Sequence, residues 1–458
     1  MQLVDTHCHL NLENYNNDLD LVLERAGGSG VVRMIVPGID VASSQKAVEL
    51  SKKHYQIFAA VGIHPHSADE VTDKDLSFLK EIITNNNKIV AVGEIGLDYY
   101  KKYSDPENQK TLFERCLSLA KEVKLPVILH NREASSELLT ILKNTFPDEV
   151  KGVMHCFSAD KAILKKVLDM GLYVSFPGNI TFPKAEGIRD LIRYVPLEKL
   201  FLETDSPYMT PVPFRGKRNE PAYVRNMLDI YANIYRLTPE DVARTTTHNA
   251  NQLFDLDIEE ESMIAYAIRD SLYLNITNRC TNRCVFCVRQ YSDYVKGHNL
   301  KLSHEPSVEK TLEAMGDISG FDEVVFCGYG EPTIRMDIIK EIASYVKREG
   351  GKVRLTTNGQ GDLINGREIA QELSGLVDNV SVSLNAPNSE AYDKLCRSDF
   401  GREAYDAMIR FIESCQKRGI DVELTCLDMI GEEAVGECKE IARKLDVNFR
   451  LRYLDAVG

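Results

Sequence analysis

Eight short apolar runs recur between Leu3 and Glu203, with helix-period stretches between them, and this rhythm constrains the chain more than any other feature. The runs are Leu3–Asp5, Val32–Val36, Ile57–Gly62, Ile89–Gly93, Val127–His130, Gly152–His155, Leu172–Phe176 and Leu200–Glu203. Intervening segments such as Asn108–Lys124 and Ala134–Thr145 space their apolar residues at the helical period. Strand and helix alternation predicts a parallel sheet. Eight such units predict a (β/α)8 barrel, with its functional groups at the C-terminal ends of the strands.

The polar residues fall where that architecture wants them. His7 and His9 end the first run, in Asp5-Thr6-His7-Cys8-His9-Leu10. Residues i and i+2 of a strand share a face, so both imidazoles leave together. Two hydrogen-bonded histidines at a strand end would look the same in isolation. They are not isolated: His64 and His66 follow run three, His130 ends run five and His155 ends run six. Six of the ten histidines thus share one predicted rim. Glu94 ends run four and Asp205 follows run eight. Convergent imidazoles and carboxylates at fixed strand ends predict a metal centre.

Length and charge narrow the setting. A barrel of ~250 residues leaves room in 458 for a second, barrel-like unit. The formal net charge of −14 argues against a broad nucleic-acid-coating surface, although Arg215-Gly216-Lys217-Arg218 forms a local basic cluster. No apolar run approaches the ~18 residues of a membrane helix, and no basic segment followed by an apolar one opens the chain. Eleven cysteines without secretory features point to a reducing, cytoplasmic compartment and to ligand use.

The motifs D-T-H-C-H-L, G-I-H-P-H, G-E-I-G-L-D, H-x-R-E-A, H-C-F-S and E-T-D-S-P-Y stand in an order that resembles the TatD family of metal-dependent nucleases, which are TIM barrels. The resemblance spans Met1 to about Asp257. It implies that His7, His9, Glu94 and Asp205 hold one divalent ion and that Glu94, His130 and His155 hold the other, with Glu94 bridging. Zinc, magnesium or manganese all suit such mixed ligands. Two cations ~4 Å apart can clamp a phosphodiester and activate water between them. Asp205 is then the general base, Glu94 a catalytic bridge, and His64 lies by the scissile phosphate. Arg132, Arg215 and Arg218 offer planar donors to phosphate oxygens. A local hydrogen bond explains His66 and Asp98 as well as a functional role does. Cys8 and Cys156 read as small buried fillers.

An acidic run, 255–262, separates this half from the next, giving a barrel over 1–257, a linker over 258–263 and a second domain over 264–458. In that domain a strand over Ser271–Thr277 leads into Cys280-Thr-Asn-Arg-Cys284-Val-Phe-Cys287. Three thiolates at C-x3-C-x2-C leave one iron of a [4Fe–4S] cluster open, whereas a structural zinc site closes with four. The spacing, with Phe286 before the last cysteine, resembles the radical S-adenosylmethionine (radical SAM) superfamily, and within it the TatD-linked radical SAM proteins. Gly328-Tyr329-Gly330-Glu331-Pro332-Thr333 stands where the superfamily places a G-G-E-P segment.

This second resemblance implies a partial (β/α)6 barrel, open on one side, with strands over Lys352–Thr357, Asn379–Leu384, Asp421–Thr425 and Asn448–Tyr453. It implies S-adenosylmethionine contacts from Phe286, Gly328, Gly330, Glu331, Pro332, Thr357, Asn358, Ser383 and Asn385, although strand-to-turn capping explains the last four equally. The G-x-I-x-G-x-x-E segment of the superfamily is not evident. The expected protein is a bifunctional enzyme. One half is a DNase, cutting from an end. The other performs cluster-driven radical chemistry, fed by an electron donor such as flavodoxin or ferredoxin, on a substrate the sequence does not name. DNA or another phosphodiester is the expected partner, no membrane is, and oligomeric state stays open. Two other readings fit: amide or aminoacyl-ester cleavage at the metal centre, and a redox-sensing cluster that gates the hydrolase.

Overall fold

The computed structural model describes residues 1–259, 261–295 and 297–453. It divides into two compact units, Met1–Glu259 and Glu260–Gly458.

In the first unit eight parallel strands follow one another in chain order: β1 (Leu3–Asp5), β2 (Val31–Pro37), β3 (Ile57–Val61), β4 (Ile89–Asp98), β5 (Val127–Arg132), β6 (Gly152–Met154), β7 (Tyr173–Phe176) and β8 (Leu200–Leu202). The ring closes through Thr6 N donating to Leu202 O at 3.0 Å and a parallel bridge between Cys8 and Ser206. This is the expected TIM barrel. Alternate strand residues face outward to the helices, as Leu3, Met34, Val61, Leu129 and Leu202 do. The others, Val4, Ile35, Phe58, Ala91, Ile128 and Phe201, form a separate inner cluster. Phe254, Leu256 and Ile258 join that inner cluster. Arg33 secures the segment by donating to Leu256 O at 2.8 Å and Asp257 O at 2.6 Å. The segment expected as linker therefore starts as part of the barrel: its two apolar side chains are worth more buried than exposed.

β4 runs five residues beyond the Gly93 end expected from its apolar run, to Asp98. Its pairing with β5 slips between Val92 and Ile95, where three residues on β4 answer two on β5. Such a bulge re-aims a side chain, and the side chain here is Glu94. Gly93 permits the approach, because a Cβ there would lie 2.6 Å from Ile128 Cβ.

The second unit is a seven-stranded sheet in the order β17-β16-β15-β14-β13-β10-β9. β10 (Ser271–Leu274), β13 (Glu323–Phe326), β14 (Val353–Thr357), β15 (Asn379–Ser383), β16 (Asp421–Leu427) and β17 (Asn448–Arg452) are parallel, as expected of a partial (β/α)6 barrel. β9 (Ala265–Ile268), antiparallel to β10, was not anticipated. Its four residues are too short and too mixed to stand out as a strand. A small ribbon, β11 (Tyr294–Val295) with β12 (His298–Asn299), follows the cysteine loop. One sheet face is apolar and covered by helices. Helix Met336–Arg348 buries Ile338, Ile339, Ile342 and Val346, and helix Glu403–Lys417 buries Ala407, Met408, Phe411 and Ile412. Among the described residues no helix is long and apolar enough to cross a membrane.

Phe411 is fully buried in this core. Phe411→Ala should lower the second unit's stability by roughly 3–5 kcal/mol, read by denaturant unfolding, with Phe411→Leu costing clearly less.

Candidate functional site

Six expected ligands meet at the C-terminal mouth of the first unit's barrel. Glu94, buried at the β4 bulge, divides them between its two oxygens. Oε2 lies 3.4 Å from His7 Nε2 and 3.7 Å from His9 Nε2. Asp205 Oδ1 completes that side, 3.6 Å from His9 Nε2 and 3.9 Å from His7 Nε2. Oε1 faces the other way, 2.8 Å from His130 Nδ1 and 2.9 Å from His155 Nε2. The ligand atoms of His7, His9 and Glu94 lie within 4.8 Å of one another, as do those of His64, Glu94 and His130. Imidazole nitrogens and carboxylate oxygens converging at such distances fit divalent cations. The buried Nδ1 atoms of His7, His9 and His155 have no hydrogen-bond partner among the described residues, so these rings engage the cluster through Nε2.

Local chemistry holds these groups. Asp5 accepts from Thr204 Oγ1 at 2.6 Å, Thr204 N at 2.9 Å and His7 N at 3.3 Å, tying the end of β1 to the loop after β8. Burial pushes the Asp5 carboxyl up to about 8 despite those bonds. Burial would also raise Asp205, but His9, His7 and His155 hold it below the usual carboxylate range. Asp205 has φ +51°, a left-handed conformation that costs a non-glycine residue energy. Its N–H donates to His7 O at 2.9 Å, which stabilises the turn.

Asp98, at the end of β4, accepts from His130 Nε2 at 3.2 Å and His66 Nε2 at 2.9 Å. Of the two explanations open for His66 and Asp98, the hydrogen bond is present, and it fixes the ring of His130. Glu203 was not singled out from the sequence. It stands behind His155, with Oε2 3.8 Å from Nδ1, and accepts from Ser175 Oγ at 2.7 Å. Its signal was its place in the E-T-D-S-P-Y motif. Cys8 is buried, as expected of a filler, whereas Cys156 is half-buried with φ +46° and donates its N–H to Glu203 at 2.8 Å.

His64 sits 3.6 Å from Glu94 Oε1, and its Nδ1 accepts from His66 N at 3.2 Å. That bond assigns the proton to Nε2, pointing into the mouth. Arg132 stacks on Tyr100, 3.8 Å from its ring centroid, and Arg215 on Phe182 at 4.3 Å. Neither has an ion-pair partner among the described residues. Arg218 differs from its expected phosphate role. It forms a bidentate pair with Asp18 at 2.7 and 2.8 Å and donates to Asn14 O at 2.6 Å, so its donors are committed. Sequence spacing could not reveal a carboxylate two hundred residues away.

In the second unit the expected cluster and cofactor residues line the same sheet edge. Glu331 is buried and accepts from Thr357 Oγ1 at 2.6 Å, Thr333 Oγ1 at 2.7 Å and Asn358 N at 2.8 Å. Its carboxylate is thus a brace between the ends of β13 and β14 rather than a free cofactor contact. Gly330 lies against the cysteine loop: a Cβ would come within 2.3 Å of Arg279 O. Gly328 is packed as tightly on Asn275, and Pro332 and Thr333 are buried beside Glu331. Asn358 Nδ2 donates to Thr281 at 3.1 Å, and Phe286 packs on the apolar core. Asn385 Oδ1 is buried without a partner among the described residues. No hydrogen bond engages the Ser383 hydroxyl among the described residues.

Gln360, absent from the sequence expectations, is the hub of the cysteine loop. It accepts from Thr281 Oγ1 at 3.1 Å and Ser398 Oγ at 2.9 Å, and donates to Asn282 Oδ1 at 2.9 Å and Tyr392 OH at 3.0 Å. Among the described residues the groups of three convergent ligand atoms all lie in the first unit. A cubane cluster spaces its thiolates more widely than a single ion does, so Cys280, Cys284 and Cys287 need not converge as tightly. Burial pushes the Cys280 thiol up to about 12, with Glu331 adding to it.

Histidines and carboxylates meeting at the open end of a parallel barrel place the first unit among metal-dependent hydrolases. Residues 4–255 match the TatD related DNase family, and residues 274–445 match the Radical SAM superfamily. The chain belongs to the TatD family and carries a radical SAM domain after the hydrolase. An uncharacterized metal-dependent hydrolase of Bacillus subtilis, YabD, is 42% identical over 255 residues, covering 56% of this chain and all of the relative. The 3′-5′ ssDNA/RNA exonuclease TatD of Erwinia tasmaniensis is 33% identical over 260 residues, again covering 56% of this chain and all of the relative. The crystal structure of an Escherichia coli TatD homologue, YJJV, superposes with a TM-score of 0.53 at 32% identity, covering 55% of this chain and 98% of that one.

Gln360→Ala should cost about 1–3 kcal/mol, the penalty for buried partners left unpaired. It should also speed alkylation of Cys280 in the cluster-free protein, measured by timed thiol labelling.

Proposed function

We propose that this protein is a bifunctional enzyme whose first unit hydrolyses phosphodiesters from a nucleic-acid end and whose second performs cluster-driven radical chemistry. The division of Glu94 between two ligand sets carries the first half of this reading. His7, His9 and Asp205 with Oε2 would hold one divalent ion, and His130 and His155 with Oε1 the other. Two such ions would lower the pKa of water and neutralise charge on the phosphate. Asp205 accepts the proton of the attacking water. Its depressed pKa keeps the carboxylate ionised and ready. His64 donates its Nε2 proton toward a phosphate oxygen, and Arg132 and Arg215 steady the remaining phosphates as planar donors. The exonuclease activity named for the Erwinia relative supports a single-stranded DNA or RNA end as substrate.

In the second unit Cys280, Cys284 and Cys287 would hold a [4Fe–4S] cluster with one iron left for S-adenosylmethionine. That pair supplies one-electron cleavage of the sulfonium and hydrogen-atom abstraction, with the electron coming from a small donor such as flavodoxin or ferredoxin. The residues' part is to grip and shield. The Glu331 brace sets the Gly328–Gly330 backbone, Phe286 covers the loop, and the orphan Asn385 Oδ1 accepts a cofactor hydroxyl or amino proton.

Chelation should abolish hydrolysis of a 3′-labelled single strand, and added manganese, magnesium or zinc should restore it. Asp205→Asn should lower its kcat by roughly 10²–10⁴ even at metal concentrations that restore, by mass spectrometry, the wild-type metal content. Retention of full activity by Asp205→Asn would sink the base assignment. Cys284→Ala should abolish reduction-dependent release of 5′-deoxyadenosine and leave strand hydrolysis unchanged. Nuclease loss in that variant would speak for a cluster that gates the hydrolase.

A further inference from the structure

The second unit's sheet has a face turned away from its helices, and that face is charged. Residues at alternate positions to the apolar core point there: Glu323 on β13, Arg354 on β14, Ser381 on β15, Glu423 on β16, and Arg450 and Arg452 on β17. Two of the arginines are neutralised. Arg354 holds Glu323 at 2.6 Å, and Arg450 holds Glu423 at 2.9 Å, with Ser381 Oγ donating to the same carboxylate at 3.1 Å. Arg452 is not. It forms no ion pair among the described residues, and its Nε is buried without a hydrogen-bond partner. Glu423 is nearby but committed to Arg450 and Ser381.

Arg452 also lies where a ligand would be. It ends β17, so it stands on the same C-terminal edge as the cysteine loop and the Gly328–Thr333 segment. In the sheet, three strands separate β17 from β13. A flat sheet would hold them about 19 Å apart. The six parallel strands, however, form part of a barrel, as in the family that this unit matches. The sheet therefore curls, and Arg452 faces the cofactor segment across the open barrel. The guanidinium is half-buried, and a buried Nε–H with nothing to donate to is costly unless something fills its place.

We propose that Arg452 is the anion anchor of this lumen, binding a carboxylate or phosphate group of the molecules on which the radical half works. The inference rests on the radical reading above and adds to it the charge of the ligand. The shared chemistry has two sources, the carboxylate of S-adenosylmethionine or an anionic group of the substrate. A planar guanidinium suits either, as a two-pronged donor.

The test uses the full chain, reconstituted anaerobically, as wild type, Arg452→Gln and Arg452→Lys. Isothermal titration measures affinity for S-adenosylmethionine and for deoxyadenosine 5′-monophosphate, with deoxyadenosine as the uncharged control. Arg452→Gln should weaken one of the two anions roughly 10- to 100-fold, the worth of a charge-assisted pair. Arg452→Lys should recover part of the loss, and deoxyadenosine should bind all three proteins alike. Loss confined to S-adenosylmethionine places the anchor on its carboxylate. Loss confined to the nucleotide places it on the substrate. Unchanged affinity for both, in variants that melt like wild type and carry the same iron, overturns the proposal. Reduction-dependent 5′-deoxyadenosine is read in the same samples. Its absence from wild type would defeat the radical reading, while the affinity comparison would still decide the role of Arg452.

Discussion

The first unit depends on one buried carboxylate. Glu94 sits among five imidazoles within 3.7 Å of its oxygens, from the ends of strands one, three, five and six of the barrel. A carboxylate taken out of water at that depth is unstable without positive or hydrogen-bonding partners. Glu94 is the one group that all of His7, His9, His130 and His155 share, while Asp205 serves the first two and Asp98 the third. The β4 bulge, the tight contact at Gly93 and the Asp5 lock at the barrel seam all serve to hold that carboxylate in place.

The second unit solves a different problem with different means. No buried charge bonds the side chains of the Cys280–Cys287 loop among the described residues. A neutral amide does instead: Gln360 uses both ends of its side chain on four partners around the cysteine loop. Glu331 performs the same service on the other side, its buried oxygens accepting from donors beyond the ends of β13 and β14. Both sites follow the rule that places function at the C-terminal edge of parallel strands, because side chains from many strands can meet there without breaking the sheet.

Much of this was legible in the chain. Periodicity located all eight barrel strands of the first unit, since each is an apolar run bounded by polar residues. The residues that meet at the barrel mouth were legible because each follows its run closely, so locating the strand located the side chain. The misses share a cause. Glu203, Gln360 and the Arg218–Asp18 pair act through contacts between residues far apart in sequence, and no local pattern encodes such partners. The short antiparallel β9 and the seating of Leu256 and Ile258 in the barrel depend on what the rest of the fold leaves uncovered.

The sequence alone determined the alternation of strand and helix, the residues at each strand end and the cysteine spacing, because these are local properties of side-chain period and type. Tertiary structure decided which groups pair. It alone divided Glu94 between two groups of side chains, committed Arg218 to Asp18, made Glu331 a brace and left Arg452 without an ion pair among the described residues. Those outcomes follow from burial and distance, which arise only when strands remote in the chain are brought side by side.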